Sequence, residues 1–157
     1  MSDHAGVKFP PPFVYAVAVL GGWWLNRNWP LPMRSDVTSG LSAAAVVAWV
    51  LVAAALCLLA TPAVLFISRH TSILPMRPSS ALVVAGPYRF TRNPMYLGMA
   101  LLTVALGLWL NTWWVIILLV PALLVIKRFV IDREEAYLRR RFGAEYEAYT
   151  RDVRRWL

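Results

Sequence analysis

The sequence predicts an all-α polytopic membrane protein, with about four transmembrane helices followed by an amphipathic helix on the cytoplasmic side. Hydrophobic residues make up 59% of the 157 positions and charged residues only 15%, far from the balance of a water-soluble domain. Four apolar runs, at 13–25, 41–67, 95–110 and 113–126, contain no charge. The cations are sided: sixteen Lys and Arg residues are so placed that an inside N-terminus puts fourteen in cytoplasmic segments and leaves only Arg27 and Arg34 outside.

Each run meets the bilayer differently. About 20 helical residues cross the hydrocarbon core. The first run has 13 residues and contains Gly21 and Gly22, so it also fits a core or interfacial helix. The second is ample. The third and fourth are short and need flanking residues, tilt or thinned lipid. Between them, Asn111 and Thr112 with Trp113 and Trp114 predict a tight helical hairpin at a membrane surface, where the tryptophans at 23, 24, 29 and 109 complete an outer aromatic belt. On the third helix Tyr96, Ala100, Thr103 and Gly107 share one face, a pattern for close packing by small residues.

The charge distribution places both termini and the 68–93 loop in the cytoplasm, most simply at a cell or inner membrane. A net charge of +8 suits anionic lipid headgroups, and no nucleic-acid-binding module is present. The start, "MSDHAGVKFPPPF", lacks the basic region and small-residue cleavage site of a removable signal peptide. A lone Cys57 excludes an internal disulfide and a cysteine-cluster metal site, and no metal is expected. One domain, 1–157, accounts for the chain.

No glycine-rich turn joins a strand to a helix, so any nucleotide-like cofactor must be held by helix ends and the cytoplasmic loop. That loop, 26 residues long, is restricted by Pro75, Pro78 and Pro87, and its "ALVVAG" stretch is apolar enough to dip toward the membrane over a pocket. Within "GPYRFTRNPMYLG", at 86–98, much is helix punctuation: Gly86-Pro87 a turn, Asn93 an N-cap, Pro94 a first-turn residue, Arg89 and Arg92 inside anchors. Tyr88, Tyr96 and the density of donors exceed what punctuation requires. His70, where the second helix ends, reads by itself as a solvated or capping residue.

In the tail, Leu138, Phe142, Tyr146, Tyr149, Val153 and Trp156 recur at spacings of three and four, one apolar face of a basic amphipathic helix suited to the headgroup surface. Gly143 is a potential kink. Glu135 stands four residues before Arg139, an exposed pairing. Glu134 falls on the inward face, where a carboxylate is costly unless a cation meets it. Arg89, Arg92 or Arg128 and a cationic ligand are equally good partners.

These two motifs, "GPYRFTRNPMYLG" and "REEAYLRRRFGAEYEAY" one hairpin later, resemble the isoprenylcysteine carboxyl methyltransferase and phospholipid methyltransferase families, integral membrane enzymes that use S-adenosylmethionine. The matching positions are Arg92, Asn93, Pro94, Tyr96, Gly98, Glu134, Glu135, Phe142 and Gly143, within a motif-bearing part of about 68–157. His70 falls on a family histidine, whereas Asn93 replaces the usual motif histidine, and the arginine with which prenylcysteine enzymes would hold a substrate carboxylate has no clear counterpart. The resemblance implies a cofactor site of His70, Tyr88, Arg92, Asn93, Tyr96, Glu134 and Glu135, with Glu134 or Glu135 meeting the ammonium and His70, Arg92 or Asn93 the carboxylate. Arg89 and Arg128 are the cations left for a substrate. The implied acceptor is lipophilic or small, presents sulfur, nitrogen or a carboxylate oxygen, and is reached from the membrane; no individual catalytic residue stands out.

Two other classes fit parts of the pattern. Membrane sterol reductases resemble these methyltransferases in their C-terminal half and use NADPH, whose phosphates Arg77, Arg89, Arg92 and Arg128 could meet, but they are much larger. A non-enzymatic membrane protein would use the same motifs only to fold the hairpin.

Overall fold

A computed structural model describes residues 6–7, 9–35, 42–68 and 81–156. His70, Arg69, Arg77 and most of the long loop lie outside these residues. The described chain is all-helical: α1 Pro11–Asn28, α2 Ala43–Ser68, α3 Pro94–Trp109, α4 Trp113–Ile126 and α5 Asp132–Asp152, with a 3-10 turn at Gly86–Arg89 and a π turn at Lys127–Ile131.

Helix α1, at 18 residues, is longer than its apolar run because Pro10 and Pro11 start it before the run begins. Proline fixes a helical φ, and at the first turn its missing N–H costs nothing. Helix α2 spans 26 residues and is long and apolar enough to cross a membrane, as is the helix that begins at Trp113, whereas α3 is shorter. Large apolar side chains face outward on α1, α2 and α4, among them Leu20, Val50, Leu56, Ile67, Val120 and Leu124. That exterior suits lipid and not water.

Two tight contacts set the helix pairs. Gly98 of α3 sits against the Ala55 carbonyl and Leu58 of α2, and Gly22 of α1 lies against the backbone of Val115 in α4. A Cβ on Gly22 would fall 2.6 Å from Val115 Cγ2 and 2.8 Å from its Cα and N, so the helices must separate to admit it. Gly22→Ala is therefore expected to destabilise the bundle by roughly 1–3 kcal/mol, measurable as a lower unfolding temperature in detergent.

The hairpin turns at Asn111, whose φ is +48°, and Thr112 caps α4 by accepting from the Trp114 N–H at 3.2 Å. At this end of the bundle Trp49 packs edge-on to Trp109, and the Trp114 indole donates to the Trp29 carbonyl at 2.7 Å. These four tryptophans thus lie at the end opposite Glu134.

The amphipathic helix continues α4 through the π turn and is kinked at Gly143, as the glycine suggested. At φ +51° and ψ −123° that residue folds the second half of the helix back. Only glycine takes that backbone conformation readily. Consequently the stripe predicted to lie on headgroups is partly covered by protein: Tyr146 is 1% exposed, and Trp156 packs on a core that includes Tyr15, Tyr96, Ile126 and Tyr137.

Candidate functional site

The cluster forms where the start of α3 meets the start of α5. Asn93 occupies the N-cap position of α3, but its side chain does not cap that helix. Instead its amide donates to the Arg155 carbonyl at 2.9 Å, because the folded-back tail brings that carbonyl within reach. The Arg92 N–H donates to the Arg154 carbonyl at 3.0 Å and the Thr91 hydroxyl to that of Arg155 at 3.2 Å. The Tyr149 hydroxyl donates to the Tyr88 carbonyl at 2.7 Å. Four bonds thus tie the tail to the 88–93 segment.

Tyr88 projects from the 3-10 turn and packs edge-on against Phe66 near the end of α2, with ring centroids 5.9 Å apart. Burial, then the nearby Glu134, pushes its hydroxyl above the usual tyrosine range. It stays protonated. Tyr96, one turn into α3, is buried and donates from its hydroxyl to Glu134 Oε1 at 2.7 Å. The Tyr15 hydroxyl of α1 in turn donates to the Tyr96 carbonyl at 3.1 Å.

Glu134 lies inward as its spacing indicates, whereas Glu135 has neither the exposure nor the partner read from its spacing. Glu135 does not pair with Arg139, which is exposed; it is 8% exposed itself and receives the Arg155 guanidinium at 2.9 Å and 2.7 Å on its two oxygens. Arg92 approaches it at 3.5 Å. The pairing crosses twenty residues because the Gly143 kink reverses the chain. Glu134, by contrast, has no cation bonded to it among the described residues: Arg92 stands 3.5 Å from Glu135, and Arg89 and Arg128 are exposed. The Tyr96 hydroxyl is its partner instead. Glu134 keeps some accessible surface, yet its carboxyl lies deep enough that desolvation raises its pKa from 4.5 to about 7, with the neighbouring Glu135 adding to the rise and the Tyr96 bond opposing it. The group lies beyond the apolar span, which ends before Asp132.

One buried side-chain atom has no hydrogen-bond partner among the described residues, Arg92 Nε. The cluster therefore offers a carboxyl without a cation and a guanidinium with one N–H unengaged. Such a pair matches a ligand with an ammonium and a carboxylate. Tyr88, Arg92, Asn93, Tyr96, Glu134 and Glu135 come together as the motifs suggest; Arg89 and Arg128 bond to none of them, and His70 lies outside the described residues. Tyr15, Tyr149 and Arg155 were not singled out from the sequence. Only Tyr149 carried a signal, its place in the apolar stripe.

A family model for phospholipid methyltransferases matches residues 51–145. The chain belongs to the phospholipid methyltransferase family. The match begins within α2 and runs past the Gly143 kink, taking in both glutamates, though Arg155 lies beyond it. An uncharacterized protein of Haemophilus influenzae is 44% identical over 63 residues, which is 40% of this chain and all of that protein. No solved structure matches the chain. Membership in the phospholipid methyltransferase family gives methyltransferase activity in general terms and, with the apolar helices, membrane association.

Proposed function

We propose that the protein is an S-adenosylmethionine-dependent methyltransferase of the inner membrane, acting on a lipophilic or small acceptor that reaches the site from the lipid. The observation that carries this reading is the pairing of a cation-free Glu134 with the unsatisfied Nε of Arg92 at one helix mouth. Glu134 would take the cofactor's ammonium and Arg92 its carboxylate. Asn93 holds the tail with its amide and so supports Arg92 from behind, and His70 is the remaining candidate at the carboxylate end. The faces of Tyr88 and Tyr96 suit the sulfonium or the adenosine, since aromatic faces attract cations.

When bound, the cofactor supplies an electrophilic methyl group on a positively charged sulfur. Displacement from it neutralises charge, so the protein's contribution is alignment and exclusion of water more than proton transfer. The chain is suited to that work: the tail and the start of α3 are cross-tied, and the core beneath them is apolar. The acceptor's nucleophile, sulfur, nitrogen or carboxylate oxygen, would sit at the inner boundary, with exposed Arg89 and Arg128 available to its polar end. Fourteen cations on one side against two on the other support cytoplasmic termini and a cytoplasmic 68–93 loop, the side where the cofactor is made.

Calorimetric titration of the full chain in detergent with S-adenosylmethionine, and separately with NADPH, tests the proposal. Saturable binding of S-adenosylmethionine alone is the expected result. Binding of NADPH alone would move the assignment to a reductase, and binding of neither would leave the motifs as helix punctuation.

A further inference from the structure

The two guanidinium groups around Glu135 are not held alike. Two guanidinium groups, those of Arg92 and Arg155, approach one buried carboxylate. Arg155 holds both of its oxygens in a fork, the strongest geometry available to the pair. Arg92 is left at 3.5 Å, beyond good hydrogen-bond length, and its Nε has no partner. Asp132 takes a share of the Arg155 charge, 3.3 Å from its Nη1. Two carboxylates thus meet two guanidinium groups, and what is left over is the Arg92 Nε N–H, buried without a partner among the described residues.

We propose that Arg155 is a positioning residue: by occupying Glu135 it prevents Arg92 from closing on that carboxylate and keeps the Arg92 guanidinium available to an anionic group of the ligand. The inference rests on the cofactor reading above and extends it to a residue outside the family-matched stretch. The backbone sets the register that makes the device work. The carbonyls of Arg154 and Arg155 are bonded to Arg92, Thr91 and Asn93, so the side chain of Arg155 is delivered to Glu135 from a fixed anchor. Without Arg155, Glu135 would be left buried with Arg92 as its nearest cation. A buried carboxylate that loses its fork is costly to leave poorly paired, so Arg92 would close the remaining distance to it and turn away from the ligand.

The test is calorimetry on the full chain in detergent with two probes, S-adenosylhomocysteine, which carries both the ammonium and the carboxylate, and S-adenosyl-3-thiopropylamine, the same molecule without its carboxylate. Arg155→Gln is expected to weaken the first by roughly tenfold or more, the scale of one charge-assisted contact, and to leave the second unchanged. Adding Glu135→Gln to that variant removes the competing carboxylate and is expected to restore much of the lost affinity. Equal weakening of both probes would show a merely structural role and overturn the inference, as would an Arg155→Gln protein that binds both like wild type. Wild-type protein that binds neither probe would overturn the cofactor reading and the inference with it. If Arg155→Gln does not fold, Arg155→Lys takes its place: one ammonium keeps the charge but cannot cover both oxygens, so partial, carboxylate-selective weakening is expected, and its absence overturns the proposal.

Discussion

Glu134→Gln is expected to weaken S-adenosylmethionine binding by roughly 10- to 100-fold, the range of a charge-assisted hydrogen bond to a buried group, without lowering the unfolding temperature of the protein in detergent. The carboxylate has no cationic partner among the described residues, so neutralising it breaks no ion pair. Glutamine retains a side-chain oxygen that accepts from the Tyr96 hydroxyl. The desolvation that pushes the Glu134 pKa to about 7 shows that the charged form is the unfavourable one in the ligand-free protein. A structural glutamate behaves otherwise: its removal would unfold the protein at neutral pH. Titration calorimetry and thermal unfolding on the same preparation separate the two, and loss of stability without a specific loss of affinity would remove Glu134 from the site.

What the sequence made legible follows from the range of each interaction. Membrane helices are written in local composition, so the apolar runs located α2, α3 and α4 to within two or three residues of their ends. The kink was legible for the same reason: Gly143 is a single residue whose backbone freedom is a local property. The amphipathic stripe was legible too, but what covers it was not. A stripe of Tyr146, Tyr149 and Val153 looks the same whether lipid or protein lies on it, and the reversal at Gly143 turns it toward the start of α3.

Misreadings arose where a partner lies far along the chain. Spacing by four gives Glu135 to Arg139, and that rule holds for a straight, exposed helix. Here the partner is Arg155, delivered by the reversal, and the buried fork outweighs an exposed pair that is worth a few tenths of a kcal/mol. Asn93 was legible as an N-cap by position but bonds to the tail, since Pro94 has already removed one of the N–H groups a cap would serve. Tyr15 gave no signal within an apolar run, although its hydroxyl ties α1 to the Tyr96 carbonyl across eighty-one residues.

Binding of S-adenosylmethionine should depend on pH with an acid limb set by Glu134. Below about 7 the carboxyl is protonated and cannot pair with an ammonium, so affinity should fall by up to about tenfold per pH unit on going lower. Above about 8 an α-amino group begins to lose its own proton, which removes the other half of the pair. Affinity is therefore greatest in a narrow window between those values. The same carboxyl acts with the opposite sign on the ligand-free fold. Between 4.5 and about 7 the folded protein holds a proton that the unfolded chain has released, so this contribution to stability is full below 4.5 and is lost as pH rises through about 7. Tyr96→Phe removes the one bond that lowers the Glu134 pKa and should move the acid limb upward, whereas Glu134→Gln should abolish it. Calorimetry at half-unit intervals from about pH 5 to 9 reads all three curves. An acid limb that survives Glu134→Gln would assign the titration to another group, and with it the ammonium site.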